Sequence, residues 1–169
     1  MSPFARHLPD DVGLRERVEA DLPFLAELYA STREEELRPI AWPDADKQAF
    51  LLDQFMRQHE HYLSHYPRAQ WLVVEHEMQP IGRLYVEQTA AEIRLMDMAL
   101  AAPWRGRGIG TSLLRAITES ADESALPATL HVEPYNPAMR LYSRFGFEET
   151  ETRGVYVFMT RTPAPRSPS

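Results

Sequence analysis

The segment Arg105-Gly106-Arg107-Gly108-Ile109-Gly110-Thr111 restricts this chain more than any other stretch. Three glycines in alternate positions let the backbone turn tightly and approach a ligand with no Cβ atom in the way. Ahead of it, Glu92–Leu100 reads as a mostly apolar strand, long enough to be central. Behind it, Ile109, Leu113, Leu114 and Ile117 recur at helical spacing from about Gly108. A helix that starts on such a turn presents unpaired N–H groups and the positive end of its dipole, which together bind phosphate. Arg105 and Arg107 add charge suited to a pyrophosphate. Other phosphate loops fit less well. A P-loop needs a lysine after its last glycine, and Gly110 is followed by Thr111-Ser112. The dinucleotide fingerprint spaces its glycines differently and belongs early in a βαβ unit.

The rest of the chain supplies a context of alternating periods. Leu14–Val18 alternates apolar and polar residues, as a short strand does. Asp21 is placed to cap a helix with Pro23 in its first turn and Leu25, Leu28 and Tyr29 on one face. A long helix is expected from about Asp46 to Tyr66, with Leu52, Phe55, Met56, His59, Tyr62, Leu63 and Tyr66 forming its stripe. Gln70–Glu75 and Ile81–Gln88 read as two strands around a polar turn, and Thr129–Glu133 as another. Asn136-Pro137 opens a helix that ends at Gly146. Phe147–Glu151 and Val155–Thr160 close the chain as strands. The order β-α-α-β-β-β-α-β-α-β-β predicts a mixed α/β domain over 12–161, with flexible termini over 1–11 and 162–169.

Composition narrows the function classes. With 169 residues the chain fits one domain, and its 44% hydrophobic and 25% charged residues are those of a globular protein. It has no cysteine, so disulfides, zinc-thiolate sites and an acyl-cysteine intermediate are excluded, and no metal is expected. A net charge of −7 argues against a nucleic-acid partner. No apolar run approaches membrane-spanning length, and the N-terminus lacks the hydrophobic core of a signal peptide. Without membrane or export signals, the expected location is cytoplasmic.

Within the glycine segment, Arg105, Gly108 and Gly110 occupy the three fixed positions of the acetyl-CoA signature of the GNAT N-acetyltransferases (Arg or Gln, two variable residues, Gly, one variable residue, Gly or Ala). Downstream, Asn136, Ala138, Leu141, Tyr142, Gly146 and Phe147 resemble the family's second pattern, with Ala138 one residue early. A proline common three residues before the signature arginine is Ala102 here, and Pro103 follows it. The chain therefore resembles the GNAT family from Leu14 to Thr160. The fold this implies is a mixed, mostly antiparallel central sheet flanked by helices.

The resemblance implies acetyl-CoA as co-substrate, bound where the fourth and fifth strands splay apart. It places the pantetheine arm along the strand-four backbone near Met98 and Leu100, with Asn136 touching it. The pyrophosphate then sits on Arg105, Gly106, Arg107, Gly108, Ile109, Gly110 and Thr111. Tyr142 is the implied general acid for the departing thiolate. Alignment on Arg105 puts Glu92 where the histone-acetylating branch has its general base. Asp97, which interrupts the apolar run Leu95-Met96-Asp97-Met98-Ala99, and His131 are competitors. Substrate choice is expected from Ser31–Leu37, Trp42, Gln58, Tyr62, Tyr85 and Tyr156. The acceptor implied is a small-molecule or peptide amine attacking directly in a ternary complex, and a homodimer is compatible with this. The alternative is a non-catalytic acetyl-CoA-binding regulatory module, which would have no use for a proton donor at Tyr142.

Overall fold

The computed structural model describes residues 2–165. Its elements follow the expected order. They are β1 (Val12–Glu16), α1 (Leu22–Leu37), α2 (Asp44–His65), β2 (Ala69–His76), β3 (Gln79–Gln88) and β4 (Ile93–Leu100), then α3 (Ile109–Glu123), β5 (Ala128–Val132), α4 (Met139–Arg144), β6 (Glu148–Arg153) and β7 (Tyr156–Arg161). The strands form a seven-stranded sheet in the order β1-β2-β3-β4-β5-β7-β6. Every neighbouring pair is antiparallel except β4 and β5, which α3 joins by a crossover and which are therefore parallel.

One face of the sheet packs on α3. Ile109, Leu113, Leu114 and Ile117 are buried there against Leu84, Ile93, Leu95 and Leu130. The other face carries α1 and α2, which bury Leu25, Tyr29, Leu51 and Phe55 between them. The apolar stripe of α2 is rotated from its expected setting. Leu52, Met56 and Leu63 are exposed, because Leu51 and Phe55 face α1 and Tyr62 faces Trp71 and Tyr85 of the sheet. His59 stacks on Phe55 and pairs with Arg17, and burial pulls its pKa down, as befits a packed imidazole.

One turn departs from sequence expectation. The β2–β3 hairpin turns at Glu77 and Met78, both at positive φ, so that Gln79 and Pro80 belong to β3. Gly82 lies where any Cβ would come within 2.5 Å of the Ala99 carbonyl oxygen, so its bare backbone lets β3 lie close against β4. The segment before Val12 is more tightly held than a flexible arm. Phe4 is 1% exposed, and Arg6 donates to Glu123 (2.6 Å) and Ser120 (3.1 Å) of α3. Of the tail over 162–169, the Ala164 N–H donates to Asp122, and residues from 166 onward lie outside those described. Among the described residues, no helix is long and apolar enough to cross a membrane.

Asp21 does not cap α1 through its side chain. Its carboxylate is buried and accepts two 2.7 Å bonds from Arg15 and one from the Val18 N–H, clamping β1 to the start of α1. The Arg15 bonds hold the Asp21 carboxyl pKa below its ordinary value, against the opposing effect of burial. Asp21→Asn is expected to cost about 1–3 kcal/mol in urea unfolding at neutral pH. That is below the range for a fully buried pair, since the Arg15 side chain is 33% exposed. A depressed folded-state pKa stabilises above the unfolded carboxyl value and ceases to as pH falls through the folded one. The gap between wild type and variant should therefore close in acid. Equal stabilities at pH 7 would show that the clamp contributes nothing.

Candidate functional site

β4 and β5 stay paired only from Ile93–Ala128 through Leu95–Leu130. Beyond that point the β5-facing side of β4 meets no strand among the described residues, although β3 holds its other side as far as Leu100. A cleft of about 510 Å³ opens where the strands part. Met98 and Asp97 of β4, Val132 of β5, and Asn136 and Tyr142 near α4 line it, and α1 and α2 wall it from the far side of the sheet.

The glycine loop lies beside Met98 of this cleft without lining it. Gly108 has φ +83° and stands at the N-cap of α3, a left-handed position suited to glycine. The first helical hydrogen bond runs from the Ser112 N–H to the Gly108 carbonyl, so the N–H groups of 109–111 precede the helical ladder. A Cβ on Gly110 would touch only the Met98 methyl, at 3.8 Å, which places the start of α3 beside a cleft residue. The two arginines of the loop have distinct settings. Arg105 Nε donates to the Leu100 carbonyl at 2.9 Å, tying the loop to the end of β4. Arg107 stacks over Trp104 at 4.8 Å. Asn136 lies ahead of α4, whose N-cap is Ala138. Its side-chain oxygen accepts from the Ala138 N–H at 2.8 Å, so the helix it was expected to open begins at Met139.

Tyr142 is 8% exposed, packs on Phe147 and reaches the cleft. Burial, aided by the charge of Asp97, pushes its phenol up to about 12, so the hydroxyl keeps its proton over the whole physiological range. Asp97 forms an ion pair with Arg83, whose side chain is 4% exposed and is steadied by Gln58 at 3.2 Å. The partner that a carboxylate inside an apolar strand requires is thus on the adjacent strand. Arg83 was legible as a lone cation in the apolar run Ile81–Val86, but nothing in the sequence paired it with Asp97.

Glu92, expected as the base, is outside the cleft. It immediately precedes β4, next to the stretch where the strands are still paired, accepts from the Thr129 hydroxyl at 3.0 Å and lies 3.2 Å from Arg94 Nε. His131 lines the cleft, and burial with nearby Arg94 and Arg153 lowers its pKa. Gln58, Tyr62 and Tyr156 line it too, as do Thr32, Arg33 and Glu36 from the stretch 31–37. Trp42 and Tyr85 do not; Trp42 packs edge-on against Phe50, and Tyr85 is buried under α2. Among the described residues, no group of three or more His, Asp or Glu side chains is arranged to hold a metal ion.

Residues 67–149, from the start of β2 through α4, match the family model of an acetyltransferase (GNAT) domain. No curated protein matches the chain. Among solved structures, the PaiA N-acetyltransferase of Thermoplasma acidophilum in complex with coenzyme A superposes with a TM-score of 0.67 at 16% identity, over 89% of this chain and 98% of that one. An acetyltransferase of Thermus thermophilus gives 0.64 at 20% identity, over 89% and 96%. Ard1 of Thermoplasma volcanium gives 0.60 at 16%, over 92% and 99%. At these identities the likeness is one of fold, and the seven-stranded sheet that parts between β4 and β5 is that fold. Together with the match over 67–149, that fold identifies a GNAT acetyltransferase domain in this chain.

Proposed function

We propose that the protein transfers the acetyl group of acetyl-CoA to a primary amine, in a small molecule or peptide, by direct attack within a ternary complex. The observation that carries this reading is the cleft itself. It brings together a free strand edge, a buried phenol and a carboxylate where β4 and β5 part. Acetyl-CoA supplies the acetyl group as an activated thioester. The residues suit it: the free edge of β4 near Met98 and Leu100 offers backbone groups to the pantetheine amides, with Asn136 alongside. The N–H groups of Ile109, Gly110 and Thr111 offer themselves to the pyrophosphate, in a loop whose glycines leave open space. Arg105 and Arg107 set the charge around Gly106 and Gly108. The absence of cysteine favours direct attack over an acyl-enzyme route.

Within this reading a β4 N–H polarises the reacting carbonyl as an oxyanion donor does. Tyr142 gives its proton to the leaving sulfur. Asp97 orients the amine and takes the proton released as the nitrogen–carbon bond forms; a nitrogen that has begun to bond carbon is acidic enough for a carboxylate to serve. Asp97 replaces Glu92 in this role because Asp97 lines the cleft and Glu92 does not. A cytoplasmic setting belongs to the same reading.

Acetyl-CoA at about 100 times its dissociation constant should raise the melting temperature by roughly 5–10 °C, with NAD and ATP doing far less. Gly110→Glu should abolish the shift yet fold normally, since the space at Gly110 is open and a glutamate suits the first turn of a helix. A normal acetyl-CoA shift in Gly110→Glu would place the pyrophosphate elsewhere.

Tyr142→Phe should keep cofactor affinity and lower kcat by roughly 100-fold. In the wild type, a phenol pushed up to about 12 adds no falling limb to the pH–rate curve below about pH 11. Unchanged turnover with chemistry rate-limiting would make Tyr142 a packing residue only.

The two carboxylates are separated by Asp97→Asn and Glu92→Gln, each checked for its acetyl-CoA melting shift. Asp97→Asn should lower kcat by roughly 100-fold or more, and Glu92→Gln by less than about 3-fold. The reverse ranking would restore Glu92 as the base.

A further inference from the structure

Resting on the acetyl-transfer reading above, we infer that the acceptor is an amino acid or similar small amino-carboxylate, and that Arg94, stacked on Phe158 beside Arg153, receives its carboxylate. The argument begins with an irregularity in β4. Tyr85 pairs with Asp97 and Val86 with Leu95, so Met96 is an extra residue bulged out of the β3–β4 ladder. In a regular strand, residues 94 and 97 would point to opposite faces. The bulge cancels the odd step. Arg94 stands opposite Glu87 and Asp97 opposite Tyr85, two residues apart on β3, so both side chains project from one face, about 7 Å apart along the strand. Both line the cleft. A cation donor and the proposed amine-binding carboxylate are thereby brought to the same wall at a spacing that a small zwitterion spans.

Arg94 is set up to accept an anion. Its guanidinium lies 5.7 Å over the Phe158 ring, and the Arg153 guanidinium lies 5.0 Å from the same ring. His131 packs on Phe158 from β5 at 4.8 Å. Stacking of this kind holds a guanidinium by its face and leaves its N–H edge for an in-plane acceptor. Arg153 is already engaged, with two bonds of 2.7 and 3.2 Å to Glu151. Arg94 is held less fully: it forms an ion pair with Glu92, 3.2 Å from Nε but outside hydrogen-bond geometry, and Nε is buried with no hydrogen-bond partner among the described residues. The Arg94 side chain is 20% exposed and lines the cleft, so an acceptor entering there can meet the guanidinium edge in a charge-assisted hydrogen bond. Glu92 and Glu151 keep the corner close to neutral, which suits a monoanionic carboxylate and disfavours a phosphate dianion. Burial and the two arginines lower the His131 pKa, so it adds no charge to the corner at neutral pH.

The test uses matched acceptors that differ by one carboxylate: phenylalanine with phenethylamine, histidine with histamine, and lysine with cadaverine. Thiol release from acetyl-CoA is measured for both members of each pair. In the wild type, at least one amino acid should exceed its decarboxylated partner in kcat/KM by about 10- to 100-fold, the range of one charge-assisted hydrogen-bonded pair. Arg94→Gln should collapse that ratio at least 10-fold, mainly through a higher KM for the amino acid, and Arg94→Lys should restore part of it. The preferred amino acid should also raise the melting temperature of the coenzyme A-saturated wild type but not that of Arg94→Gln. Both variants are checked for an intact acetyl-CoA melting shift, which separates loss of recognition from loss of fold. Turnover of the decarboxylated amines at equal or higher kcat/KM, or a preference that survives Arg94→Gln, overturns the inference and leaves the acetyltransferase reading standing. Thiol release from no member of any pair overturns the inference, and a missing acetyl-CoA melting shift in the wild type overturns the acetyl-transfer reading as well.

Discussion

Where β4 and β5 part, after Leu95 and Leu130, two strands in the middle of a sheet give up the hydrogen bonds they would otherwise exchange. An open edge of that kind is unfavourable unless each strand is secured from its other side. β4 is secured by β3 as far as Leu100, through the close approach that Gly82 permits, and β5 is secured by β7 over its whole length. The packing of α3 under both strands supplies the rest, with Ile109, Leu113 and Ile117 buried against them. The gap can then persist without loosening the domain. Because Arg105 ties the loop that follows β4 to the Leu100 carbonyl, the start of α3 and its free N–H groups are held beside Met98 of the same gap.

The Asp97–Arg83 pair shows how stability and site geometry are exchanged within this frame. A nearly buried arginine beside a partly buried carboxylate gains little net stability over an apolar pair of the same volume. What it does is hold a carboxylate at the cleft wall in one orientation, steadied through Gln58 of α2. The charge so placed is also felt by Tyr142 and Tyr62, whose phenols are pushed up chiefly by burial and further by Asp97. A phenol that keeps its proton and a carboxylate that stays in place are thus consequences of one buried arrangement.

The bulge at Met96 has a comparable reach. One extra residue in β4 leaves Leu95 and Met98 on the core side and turns Arg94 and Asp97 together toward the cleft. A strand with strict alternation would have sent one of them into the α3 core, where a lone charge could not be accommodated. The irregularity in the ladder and the two charges in an apolar strand therefore explain each other.

Local features were legible from the chain alone. The glycine turn, the helix behind it and the Asn136–Phe147 segment depend on neighbours within a few residues, and so the open helix start could be read from spacing, and the place of Tyr142 from the resemblance of its motif. Element order was legible for the same reason. The stripe on α2 was misjudged by one position, since adjacent apolar residues such as Leu51 and Leu52 satisfy helical periodicity almost equally, and only the neighbouring α1 chose between them. Asp97 declared itself as a buried carboxylate needing a partner, but the partner lay on another strand. Glu92 was placed by its position in a motif, and the register between β4 and β5 put it outside the cleft. The sequence by itself determined which elements form and which turn leaves helix N–H groups free, because those follow from short-range backbone and packing preferences. Which carboxylate faces the cleft, and which arginine shares its face of β4, was decided by strand register and a bulge, relations between distant segments that exist only once the sheet has assembled.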